Sequence, residues 1–184
     1  MNSDSLSPTA GMESAVAWMK VPASQGLIRR LQRLLLLLAA LVGSAGAAAT
    51  DSDVIAARGT AEAEALAVMD AFLEAFNGSD VEAWADTLVF PHVRLASGTV
   101  RIFGDRTEFV AAMDMAAFAA NTGWRRSSWD DMQIVQSSPD KVHIRVRFSR
   151  FDAEDNLLAS YDSLYIIEPV DGRWGVRARS SFAP

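Results

Sequence analysis

The chain has 184 residues, half of them hydrophobic and 22% charged, the make-up of a folded globular domain and not of a disordered or fibrous chain. Its net charge of −6 argues against a nucleic-acid partner, and the lack of any cysteine excludes disulfides, thiolate metal sites and a cysteine nucleophile. Two histidines (His92 and His143) and glycines in no phosphate-cradling spacing leave no metal and no cofactor to expect.

Charge and hydropathy change near residue 50. Arg29, Arg30 and Arg33 precede an apolar run from Leu34 to Val42, and small residues follow from Gly43 to Ala49. That order reads as a secretory signal peptide. The run is too short for a stable membrane span, which takes about 20 residues. Residues 1–50 are therefore read as a signal-peptide-like or disordered segment, and 51–184 as the folded domain. If 27–49 is a true signal peptide the protein is secreted or periplasmic; otherwise it is cytoplasmic. Of the 17 basic residues Lys20, Arg29, Arg30 and Arg33 precede the domain, and of the 23 acidic ones Asp4 and Glu13, so the domain alone carries a net −8.

Within the domain, Leu66, Met69, Phe72, Leu73 and Phe76 recur at three- and four-residue spacing, which predicts a helix over 60–76 closed by Asn77-Gly78. Residues 80–88 make a short second helix, and Pro91 marks an edge strand. Phe90–Ala96 and Thr99–Phe103 flank Ser97-Gly98 as a hairpin. A third helix is expected over 105–120, with Phe109, Val110, Met113 and Ala117 on one face. Four strands follow: 124–136, 141–151, 158–168 and 174–182. The second of these alternates strictly, with Val142, Ile144, Val146 and Phe148 on one face and His143, Arg145, Arg147 and Ser149 on the other. Helices and strands in runs instead of alternation argue for an α+β fold with an antiparallel sheet, in the order α-α-β-β-α-β-β-β-β.

The strings AFLEAFNGSDVEAWADTL (71–88), FPHVRLASG (90–98) and YDSLYIIEPVDGRWGVRARSSF (161–182), in this order, resemble the nuclear transport factor 2-like superfamily in its polyketide-cyclase/ketosteroid-isomerase-like (SnoaL-like) branch. The resemblance covers roughly 55–184. It implies a cystatin-like cone: three N-terminal helices on a strongly curved antiparallel sheet, enclosing a pocket open at one end. It also implies members that are isomerases, hydrolases, dehydratases and cyclases beside others with no chemistry, so the fold alone selects no activity. Ketosteroid isomerisation is not expected. It needs a tyrosine and two carboxyl groups, and the corresponding positions here are Phe72, Phe90 and Ser163.

Carried onto this register, the resemblance and pleat parity place Phe72, Trp84, Phe90, His92, Tyr161, Ser163 and Tyr165 on the pocket wall. His92 is the candidate acid or base, since an imidazole near neutrality serves either role; alternatively it is a pocket-floor histidine satisfied by a backbone carbonyl. In either case its pKa should lie below the ordinary value. Arg177 and Arg179 bind a ligand anion if they face inward, whereas both face outward if Val176 and Ala178 face the core; a bulge would decide between the two. Asp162 is expected to pair with Arg145 or Arg147 across the sheet, and His143 to sit on the outer face. The expected function is that of a small-molecule-binding protein taking an apolar or ring-bearing molecule. The alternatives are a lyase, isomerase or cyclase using His92, and a non-catalytic dimerisation module. The resemblance also implies a homodimer through the convex face of the sheet.

Overall fold

Thr50 opens the first helix with a reciprocal cap, its side chain accepting from the Asp53 amide while the Asp53 carboxylate accepts from the Thr50 amide at 3.0 Å. In the computed structural model, which describes residues 50–184, helix α1 therefore spans Asp51–Asn77 and begins a few turns earlier than hydrophobic spacing predicts. The added turns are exposed, so capping and not burial marks their start. The signal-peptide reading of 27–49 lies outside the described residues, among which no helix is long and apolar enough to cross a membrane.

Helix α1 buries Ala61, Ala65, Met69, Phe72 and Ala75. The small residues let it lie close to the sheet, and the large ones fill the space where the sheet curves away. Its C-terminal end is tied down by Asn77, whose amide donates to the Ser127 carbonyl at 3.0 Å and accepts from the Ser127 amide at 2.8 Å. Helix α2 (Val81–Asp86) follows, capped by Asp80.

Strands β1 (Leu88–Ala96) and β2 (Thr99–Phe103) form the expected hairpin, with Ser97 at φ 57° and Gly98 at φ 69°, the left-handed pair a two-residue hairpin turn requires. The expected third helix is two: α3 (Arg106–Ala112) and α4 (Met115–Thr122). Met113 is extended, and the Asp114 carboxylate accepts from the Ala117 amide at 2.8 Å, so an N-cap restarts the helix in a new direction. Strands β3 (Arg126–Ser138), β4 (Lys141–Phe151), β5 (Leu157–Val170) and β6 (Arg173–Ser181) complete the chain.

The six strands form one sheet in the order β2-β1-β6-β5-β4-β3. Neighbours are antiparallel except β1 and β6, which run parallel. Pro91 is thus not on an edge strand. It is tolerated because the β1–β6 register shifts between Leu88 and Val93, and the β1–β2 ladder starts only at His92. Val142, Ile144, Val146 and Phe148 of β4 are buried, as their alternation requires. Arg147 reaches Asp162 at 3.4 Å, and Arg145 reaches Asp131 at 2.8 Å, both on the outer face.

β6 carries a bulge: Ile166 pairs with Ala178 but Ile167 with Val176, leaving Arg177 as the extra residue. Val176 and Arg179 consequently both turn inward, while Arg177 is released to Glu168. Just before it, Gly175 lets β6 touch the start of β1. A Cβ there would lie 2.8 Å from Val89 and 3.0 Å from the Leu88 backbone.

Candidate functional site

A cavity of about 230 Å³ lies between α1, the α3–α4 corner and the inner face of the sheet. Phe72 organises the apolar part of its wall. Its ring meets Trp84 edge-on at 5.5 Å and Tyr165 edge-on at 5.5 Å, and stacks on Trp129 at 6.4 Å. Phe76 and Phe118 extend the wall toward α4. Aromatic edges and faces packed in this way make a continuous apolar wall.

The same cavity is also lined by cations. Arg94, Arg101, Arg150 and Arg179 all line the cavity. Arg101 on β2 stands directly across from Arg94 on β1, Arg94 across from Arg179 on β6, and Arg179 across from Tyr165 on β5. Three guanidinium groups thus share one row of the sheet, an arrangement that repels. Arg150 joins them from β4. It has the same pleat parity as Val142, Ile144, Val146 and Phe148 and is only 7% exposed. Its guanidinium carbon sits 5.0 Å from the Phe118 ring centre and 5.2 Å from that of Tyr161. Arg179 is held likewise against Phe148 at 5.5 Å and Tyr165 at 5.4 Å, with Nη2 donating to the Ser181 hydroxyl at 3.1 Å. Burial, then the charge of Arg179, lowers the pKa of both Arg94 and Arg150. Burial raises that of Tyr165, which keeps its hydroxyl protonated.

Of the residues the sequence assigns to the wall, Phe72, Trp84 and Tyr165 line this cavity. Phe90 is half-buried and packs on Phe109 at 6.4 Å. Tyr161 stands behind Phe148 and Arg150 instead of on the wall. Ser163 gives its hydroxyl proton to Ser181 at 2.8 Å. Arg177 binds Glu168 at 2.6 Å and the Pro91 carbonyl at 2.9 Å, outside the cavity, because the bulge turns it away. His143 is on β4 across from Gln136 and Ile166, away from the site.

His92 is 3% exposed and lies between the rings of Phe103 and Phe109, each at 6.2 Å. Neither ring, nor His92 itself, lines the cavity. Its Nδ1 is 3.0 Å from the Val176 carbonyl and donates to it, which fixes Nε2 as the unprotonated nitrogen of the neutral ring. Burial depresses its pKa to about 4; the Val176 bond opposes this, and Arg179, Arg177 and Arg94 add to it. His92 has the backbone-carbonyl partner of the alternative reading, but it does not line the cavity and so is not on its floor.

Sequence reasoning passed over Arg94, Arg101 and Arg150. A signal for Arg150 was present, since it continues the buried parity of β4 by one residue; so was one for Arg94, which shares the parity of Phe90 and His92. Both were obscured by the prior that arginine marks a solvated face.

A curved sheet wrapped over a long helix, with its cavity between them, defines the cystatin-like, NTF2-like class of α+β proteins. The profile of the family described as NTF2-like protein (DUF6841) matches residues 61–181, and the chain belongs to that family. No curated protein matches the sequence. Solved structures share the fold at low identity. A cystatin-like protein of unknown function from Nostoc punctiforme superimposes with a TM-score of 0.56 at 16% identity, over 67% of this chain and 90% of its own. Aln2 from a Streptomyces species gives 0.54 at 19%, over 67% and 91%. A protein from Catenulispora acidiphila, solved in complex with S-DNPA, gives 0.54 at 16%, over 68% and 94%.

Proposed function

We propose that this protein binds a small ring-bearing organic molecule in the cavity between α1 and the sheet, and that binding and not catalysis is its task. The observation that carries this reading is the wall itself: Phe72, Phe76, Trp84, Phe118 and Trp129 converge on one partly open cavity that a few polar side chains also line. That is the usual make-up of a small-molecule site. The Catenulispora acidiphila relative in complex with S-DNPA accords with it. The catalytic alternative rests on His92, which spends Nδ1 on a backbone carbonyl, faces two phenylalanines and has its pKa depressed to about 4. At neutral pH the ring is uncharged with its one N–H committed to Val176, so it is no general acid, and with that pKa it is a poor base.

The test is fluorescence titration with flat probes of graded size, from benzamide and benzoate to 2-naphthamide and 2-naphthoate, read through Trp84 and Trp129. Saturable quenching is expected, and Met113→Trp, which fills the cavity, should abolish it. If no probe saturates, or if Met113→Trp binds as well as the parent, the reading fails.

Two further properties are proposed on other grounds. The order of residues 27–49 supports export with removal of Leu34–Val42, which N-terminal sequencing from the native cell would test; a retained Leu34 in a cytoplasmic fraction refutes it. The family resemblance supports a homodimer through the convex face of the sheet. A concentration-independent monomer in sedimentation refutes that.

A further inference from the structure

We propose that the ligand of this cavity is an organic carboxylate, its charged end held by Arg94, Arg150 and Arg179 and its ring against the Phe72–Trp84–Trp129 wall. The inference rests on the binding reading above and specifies its substrate class.

The first observation is a deficit of acceptors. Among the described residues, four buried side-chain polar atoms have no protein partner: Trp84 Nε1, Trp129 Nε1, Arg150 Nε and Arg179 Nε. All four are N–H donors, and all four residues line this one cavity. Folded proteins seldom leave buried donors unbonded, and each such group calls for an explanation. These four nitrogens are closed off from water, so they mark the wall as short of acceptors; the donors an occupant can meet are the terminal guanidinium nitrogens of the same wall, which acceptor oxygens suit.

The second observation is a deficit of negative charge. On exposed surfaces of the same domain several arginines find acids, Arg106 meeting Glu82 and Asp86, Arg126 Asp155, Arg145 Asp131, and Arg147 Asp162, while Arg58 and Arg125, which have none, are solvated; Arg150 and Arg179 are buried and have neither acid nor solvent. Among the described residues no carboxylate lies within ion-pair distance of Arg94, Arg101, Arg150 or Arg179. The acidic side chain on the cavity wall, Asp114, is spent as the cap of α4. In a domain with 21 acidic and 13 basic residues, this is not a shortage of acids in the sequence. An arginine cannot shed its charge as a buried histidine does.

The third is geometry. Arg150 and Arg179 lie over ring faces, which hold the plane of each guanidinium; Nη2 of Arg179 is bonded to Ser181, but no protein acceptor among the described residues meets the terminal N–H edge of Arg150. A planar carboxylate matches that edge with two parallel bonds. Arg94, between Arg101 and Arg179 in the strand row, has its repulsion relieved by the same anion.

The experiment compares each acid with its neutral isostere on the full chain: 2-naphthoate against 2-naphthamide and benzoate against benzamide, by calorimetry. The acid is expected to bind at least about tenfold more tightly, the range of a hydrogen bond to a charged group. Arg150→Gln should remove that preference while leaving the amide affinity unchanged, and Arg145→Gln on the outer face should leave both unchanged. Equal affinity of acid and amide overturns the carboxylate assignment but leaves the binding reading intact. No binding of either member overturns both. Should Arg150→Gln not fold, the acid–amide comparison on the parent protein still decides. A variant that weakens acid and amide alike assigns Arg150 a structural role and refutes its place in the clamp.

Discussion

The two faces of the sheet treat the same residue in opposite ways. On the outer face Arg145 and Arg147 are about half exposed, each beside an aspartate on a neighbouring strand. On the inner face Arg150 and Arg179 are less than a tenth exposed and have rings for neighbours instead of acids. The outer pairs are what a solvated sheet acquires at little cost or gain. The inner cations cost free energy in the unliganded fold, through desolvation and mutual repulsion, and a sheet selected for stability alone would place leucine or methionine there. The carboxylate proposed above would account for the difference.

His92 supplies the largest effect that sharpens this contrast. Burial acts on it as on the arginines, but an imidazole can answer by staying neutral. Its pKa falls from 6.5 to about 4 in the folded state, so between those values the unfolded chain holds a proton that the folded chain refuses. Stability is then complete above pH 6.5 and is lost as pH falls toward 4, by up to about 3 kcal/mol on linkage. Denaturant melts at intervals across that window check it: His92→Gln should flatten this part of the slope, and an NMR titration should place the His92 midpoint well below 6. A midpoint at or above 6.5 would mean that the inner face is wet, and the contrast would collapse.

The inner arginines give the next effect, with the opposite sign to most core substitutions. Arg150→Met keeps volume and ring contact while removing an uncompensated charge. The unliganded protein should gain about 1 kcal/mol in stability, because burying a hydrophobe in place of a charge outweighs the lost ring–cation attraction. Thermal melts without ligand read it directly. A loss of stability would show that the rings alone compensate the guanidinium.

Much of the fold was legible before any coordinates. The alternation of β4, the Ser97-Gly98 turn, the helix ending at Asn77 and the order of elements follow from local rules, because burial of one face leaves a period in the sequence. What was not legible came from places where local rules are overridden. The start of α1 has no apolar period and is set by the Thr50–Asp53 cap. Asp114 sits at the spacing of a helix interior but acts as a cap. The site suffered most from one bulge: Arg177 and Arg179 have the same parity on paper, and a single extra residue in β6 sends one to Glu168 and the other into the cavity. Phe72, Trp84 and Tyr165 needed only helix face and strand parity. His92 needed in addition the knowledge that Phe103 and Phe109, from two other elements, would close over it.

The smallest expected effect tests the other side of the comparison. Arg147 Nη1 and Asp162 Oδ2 are 3.4 Å apart, with both side chains about half exposed. Solvent screens such a pair, and ordering two flexible side chains offsets most of the attraction. Arg147→Met and Asp162→Asn should each change stability by less than about 0.5 kcal/mol, and the double-mutant cycle should return a coupling no larger. Raising the salt from low to high should erase even that. The same salt change should leave the acid-over-amide preference at Arg150 and Arg179 largely intact, because an enclosed pair is screened far less than an exposed one. A large, salt-resistant coupling between Arg147 and Asp162 would mean that the outer face is covered in solution, as a dimer through that face would require. The two faces would then differ in what buries them, not in whether they are buried.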